Sequence, residues 1–132
     1  MNRKITLEDV LLSEIQPSQF YISDLKLEKI WEWFNKEDLS NFSPIPVKIL
    51  DDELIMTDGH TRAVAAILSG LTKVPLIWEE DSLDWNLYRL CVKECKNRAV
   101  YRPSDLIKRH LSAEEYDEMW IAWCEKQSSK ME

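Results

Sequence analysis

The chain has 132 residues, 45% of them hydrophobic and including six Trp, four Tyr and three Phe, which suits one compact domain with an apolar core and excludes a disordered chain. A formal charge of -7, from 17 basic and 24 acidic residues, repels polyanions on average, so a nucleic-acid binder of this composition needs a strongly basic local exception. No stretch approaches the ~20 apolar residues of a membrane span, no segment reads as a targeting signal or anchor, and three cysteines without framework spacing point to a reducing, cytoplasmic setting. In chain order, residues 4–7 read as a short strand leading into a loop that is punctuated at Pro17 and Ser18. Ser23 is a good N-cap, and Leu27, Ile30, Trp31 and Phe34 follow at helical spacing, predicting a helix to about residue 35 with one apolar stripe. Residues 47–50 and 54–57, joined by Asp51 and Asp52, predict a β-hairpin.

The second hairpin strand runs into Asp58 and Gly59. Residues 60–69 are apolar nearly all round, predicting a buried helix that ends at Gly70, and residues 74–78 form another strand. Strand, helix and strand in this order predict a crossover between two parallel strands. The remainder is helical: Asp84 caps a helix carrying Leu87, Leu90, Cys91 and Cys95 on one side, Pro103 starts a short one, and Ser112 with Glu115 makes a capping box for the last, whose end from 127 to 132 is expected to fray. The fold class is therefore α/β of the α+β kind, a small mixed sheet with packed helices. Residues 1–82 form the α/β core and residues 83–132 a helical extension packed on it as one unit.

The chain has only two glycines, and one of them, Gly59, stands between a strand end and a helix start. The first amides of a helix have no internal partner and its dipole is positive there, so an anion gains both hydrogen bonds and field at that position. Arg62 can fork onto phosphate oxygens, His60 and Thr61 add donors, and Asp58 can orient the loop or hold a magnesium ion that bridges phosphates. Asp58 and His60 are the catalytic candidates, Gln19, Gly59, His60, Thr61 and Arg62 the ligand-binding ones, and Asp58 the metal ligand. The local pattern also admits a plain helix cap at Asp58, a turn at Gly59 and a surface ion pair at Arg62.

Several further groups have bland readings. Arg89, Lys93 and Lys96 share a helical face in the charge-balanced stretch from Asp84 onward, as a solvated stripe does. Cys91, Cys95, His110 and Cys124 match no common zinc spacing and read as packing residues. Trp31, Trp33, Trp78, Trp85, Trp120 and Trp123 read as core and helix-docking surface rather than a stacking platform.

The stretch from Pro44 to Trp78, with its hairpin, its G-x-x-R helix start at Gly59 and Arg62, its Ala-rich helix ending at Gly70 and its Val74-Pro75 strand, resembles the ParB/sulfiredoxin-like superfamily. The segment Ile15-Gln16-Pro17-Ser18-Gln19 resembles that family's opening stretch, so the likeness covers residues 3–80. It implies a nucleotide-binding core, with ATP, ADP or CTP and Mg2+ as the ligands. The local motif Asp58-Gly59-His60-Thr61-Arg62 is most similar to the D-G-H-H-R of archaeal free-serine kinases, which implies phosphate binding by the helix start and a phosphotransferase or nucleotide hydrolase. Their glutamate position is held here by Gln19, which takes no proton. Sulfiredoxins place a cysteine where His60 stands, so no thiolate forms at that position and peroxiredoxin repair is excluded. The alternatives are a DNA-associated partition or nuclease-type module with residues 84–126 as its helical segment, disfavoured by the net charge, and a non-catalytic partner-binding domain.

Overall fold

A computed structural model of the chain describes residues 5–131. The hairpin pairs β2 (Ile45–Leu50) with β3 (Glu53–Met56) antiparallel. Its two-residue turn, Asp51 and Asp52, has both residues at positive φ (52° and 67°), which matches the twist of the flanking strands. Helix α2 (His60–Leu68) follows, and β4 (Leu76–Trp78) then returns to pair parallel with β2. The strand order is β3-β2-β4, so the crossover partner differs from the sequence expectation. The strand after α2 is parallel to the first hairpin strand, not the second, because the outer edge of β3 is already taken by Gln16: its amide donates to Leu54 O and its carbonyl accepts from Met56 N–H, each at 2.9 Å.

The sheet is covered on both faces. Ile45, Val47, Leu54 and Met56 face Ala63 and Ala66 of α2 together with Ile15 and Phe42. Ile55 and Leu50, offset in the pleat, face Val92 of α3 (Trp85–Asn97), with Trp85 and Tyr88 beside them. Period-two alternation along β3 thus feeds two separate apolar clusters.

A third cluster joins the N-terminal and C-terminal parts. Phe20 and Val64 meet Cys91, Cys95, Val100, Leu106, Tyr116 and Trp120. Two short strands, β1 (Ile22–Ser23) and β5 (His110–Leu111), pair in parallel, and Phe20 takes Trp120 and Trp123 edge-on at 4.9 and 5.0 Å. Only Trp120 of the six tryptophans is buried, whereas Trp31 and Trp33 stay about two-fifths exposed; of the core and helix-docking roles expected for the six, the core one falls to Trp120.

Helix ends follow their caps. Ser23 accepts from Lys26 N–H at the start of α1 (Asp24–Trp31), Asp84 accepts from Leu87 N–H, and Ser112 with Glu115 forms the capping box of α4 (Ala113–Tyr116). Helix α1 ends four residues before the expected point, although Phe34 N–H still reaches Ile30 O at 2.9 Å. A π-type turn over Asp117–Ile121 joins α4 to α5 (Ala122–Met131); Glu132, the last residue of the segment expected to fray, lies outside the described residues. Of the strand expected over residues 4–7, Leu7 instead opens a 3-10 turn over residues 7–9, closed by Val10 N–H on Leu7 O, and Lys4 lies outside the described residues.

Candidate functional site

The junction between β3 and α2 is built around Gly59, whose φ of 79° lies in the left-handed region. A side chain there would strain the backbone, and a methyl group would also stand 2.6 Å from Arg62 Nη2 and 3.1 Å from Ile45 Cγ1. The Arg62 guanidinium is therefore folded back over the glycine and lies beside the helix start that follows it. Asp58 Oδ1 accepts from Gly59 N–H at 2.8 Å. It caps the loop, and nothing among the described residues accepts from the amides of His60, Thr61 or Arg62.

A cleft of about 300 Å³ opens at this point. Asp58, Gly59, His60, Thr61 and Arg62 form one wall, and Gln19 with Lys26, Lys29 and Ile30 of α1 form the other. Every ligand-binding candidate of the sequence is brought to this cleft. Lys26 and Lys29 are additions that sequence reasoning missed. Their i, i+3 spacing places them on one helical face, but only the packing of α1 against α2 shows which element that face meets.

The electrostatics are one-sided. Three cations and a single carboxylate, Asp58, line the cleft. No carboxylate among the described residues pairs with Arg62, Lys26 or Lys29; Lys26 instead lies 5.0 Å over the Tyr116 ring. Arg62 Nε is buried without a partner. The surface ion pair that the local pattern admitted for Arg62 is thus not formed.

His60 is 3% exposed and accepts from Ser18 N–H through Nε2 at 2.9 Å. A ring that accepts there is neutral and carries its hydrogen on Nδ1; this atom is buried without a partner. Burial lowers the His60 pKa to about 4, with a smaller opposing effect from the Asp58 charge. His60 therefore presents a neutral donor. Gln19 donates through Nε2 to Tyr21 O at 2.7 Å and approaches Tyr116 Oη at 2.9 Å.

Arg89 pairs with Asp51 and Lys96 with Glu53, both at 2.8 Å, so two of the three cations on one face of α3 tie it to the hairpin. His110 pairs with Asp24 at 2.7 Å, and among the described residues no group of three His, Cys, Asp or Glu side chains is placed to hold a metal. Hydrogen bonding to Cys124 and burial push the Cys91 thiol up, and burial pushes Cys95 up to about 12; both stay protonated packing residues. Among the described residues no helix is long and apolar enough to cross a membrane.

The sequence matches no protein-family model and no curated protein. Among solved structures, it is similar to the crystal structure of protein Atu1540 from Agrobacterium tumefaciens, with 15% identity and a TM-score of 0.37 over 71% of this chain. The match spans 48% of that protein, about half its length.

Proposed function

We propose that the cleft between α1 and α2 binds the phosphates of a nucleotide. The observation that carries this reading is the convergence of Lys26, Lys29 and Arg62, free of carboxylate partners, on the open amides at the start of α2. Uncompensated cations around unpartnered backbone donors repel one another and gain most from a polyanion. The resemblance of residues 44–78 to the ParB/sulfiredoxin-like superfamily supports the same assignment.

Asp58 is the one carboxylate lining the cleft. A single carboxylate amid three cations is a poor resident metal site, but it suits a magnesium ion that arrives on the phosphates and keeps most of its water. Such an ion would spread charge from the phosphate oxygens, and Asp58 would orient it. Phosphoryl transfer asks mainly for positioning and charge neutralisation, which these residues supply, while Gln19 offers a hydrogen bond and no base.

Isothermal titration against ATP, ADP and CTP, each with and without Mg2+, tests the reading. Arg62→Ala should weaken nucleotide binding about 10- to 100-fold, the worth of a charge-assisted contact of ~1.5–3 kcal/mol, with the far-ultraviolet circular dichroism unchanged. Asp58→Asn should reduce only the magnesium-dependent part of the affinity. Equal affinities in the parent chain and in Arg62→Ala would reject the site.

A further inference from the structure

Resting on the phosphate reading above, we infer that the cleft continues into a second compartment, walled by the C-terminal helices, that receives the uncharged head of the phosphate-bearing ligand. A smaller cavity of about 150 Å³ shares two lining residues with the cleft, Gln19 and His60. Its other walls include Leu87 and Tyr88 of α3, Trp120 of the π-type turn and Cys124 of α5. The outer space is cationic, whereas the inner one is lined by no Lys, Arg, Asp or Glu and mixes aromatic and apolar walls with Ser18 and Thr57. Their shared wall is polar.

That shared wall carries unused hydrogen-bonding capacity. With Nε2 of His60 committed to Ser18 N–H, the imidazole keeps one donor, Nδ1–H, buried and without an acceptor. A buried donor left unmade costs ~1–3 kcal/mol, so such a group gains from any acceptor that reaches it, water or ligand. Gln19 has its amide nitrogen held by Tyr21 O, which fixes the carboxamide and leaves its oxygen as the acceptor. A ligand spanning both spaces would pass Gln19 and His60, the two polar side chains that line both.

Size sets the class of the head. A space of about 150 Å³ matches one benzene ring, so the inner space fits a single six-membered ring or a short polar chain better than a fused two-ring base. Two ligand types share this chemistry: a nucleotide with a one-ring base and a compact phosphate ester.

The test titrates the full chain with inorganic pyrophosphate, cytidine diphosphate, adenosine diphosphate and glycerol 3-phosphate. One of the two small-headed ligands should bind at least about tenfold more tightly than pyrophosphate and adenosine diphosphate, the discrimination that a well-filled pocket provides; which of them does so identifies the ligand type. Cys124→Phe fills the inner space and should abolish that preference while leaving pyrophosphate affinity unchanged. As a check independent of that variant's folding, the parent chain's tryptophan emission should shift with the preferred ligand but not with pyrophosphate, because the head would lie against Trp120. Pyrophosphate binding without any preference among heads, or a preference that survives Cys124→Phe in a folded protein, overturns the second compartment and leaves the phosphate site standing. Failure of all four probes to bind overturns the phosphate site and this inference together.

Discussion

Gly59 and Arg62 act as a pair. The missing side chain of the first lets the guanidinium of the second lie over the loop, 2.6 Å from where a methyl carbon would be, so the glycine serves both the left-handed turn and the placement of charge. Gly70 is different: its φ is 90°, yet nothing lies within 4 Å of an added methyl, and its role is confined to ending α2. The neutral, buried His60 makes a second residue-scale feature measurable. Its folded pKa of about 4 lies below the ordinary 6.5, so between these values the unfolded chain binds the extra proton. This contribution to stability is complete above pH 6.5 and is lost as the pH falls toward 4, to the extent of roughly 3 kcal/mol. Urea unfolding without added metal should show this decline, and His60→Gln should flatten it; an unaltered pH profile in the variant would assign the decline to other groups.

Helix ends show how local chemistry sets the elements. After α2, Gly70 N–H donates to Ile67 O and Leu71 N–H to Ala66 O, the paired bonds that close a helix with glycine in the left-handed region. The same two bonds close α3, from Ala99 N–H to Lys96 O and from Val100 N–H to Cys95 O, but here the left-handed residue is Ala99 at φ 61°. Alanine has a β-carbon clash in that conformation and glycine has none. Ala99→Gly should therefore raise the stability of the protein by about 1 kcal/mol, read as a higher urea midpoint at unchanged m-value. Ala99 is exposed, so the change disturbs no packing. A lower midpoint would show that the unfolded-state entropy of glycine outweighs the relieved strain.

At the scale of the whole molecule, the segment after residue 83 is part of the core. Phe20, Ile22 and Val64 share one buried cluster with Cys91, Val100, Leu106 and Trp120, and Gln16 Nε2 reaches Val100 O at 2.9 Å. A chain truncated after residue 83 would expose Phe20 and Val64 and remove one of the two acceptors of the Gln16 side-chain amide, leaving Pro17 O, losses of several kcal/mol in a protein of marginal stability. Such a chain should lack a cooperative unfolding transition, as followed by thermal circular dichroism. A sharp transition in the truncated protein would show that the first 83 residues fold independently.

Features that depend on neighbours within a few residues were legible in the amino-acid order: the caps at Ser23, Asp84 and Ser112, the Asp51–Asp52 hairpin turn, the buried Ala-rich helix and the glycine that precedes it. Each is decided by backbone hydrogen bonds closed over three to five residues or by a two-residue turn, and the side chains that make them are adjacent in the chain. Features that depend on which surfaces meet were decided only by the tertiary structure. The parallel partner of β4, the pairing of β1 with β5, the cations Lys26 and Lys29 in the cleft and the wall that Trp120 and Cys124 give to the inner cavity all join positions far apart in sequence. Helical periodicity identifies a face of α1 but carries no information about the element packed against it, because burial is non-directional and any apolar surface of the right shape satisfies it.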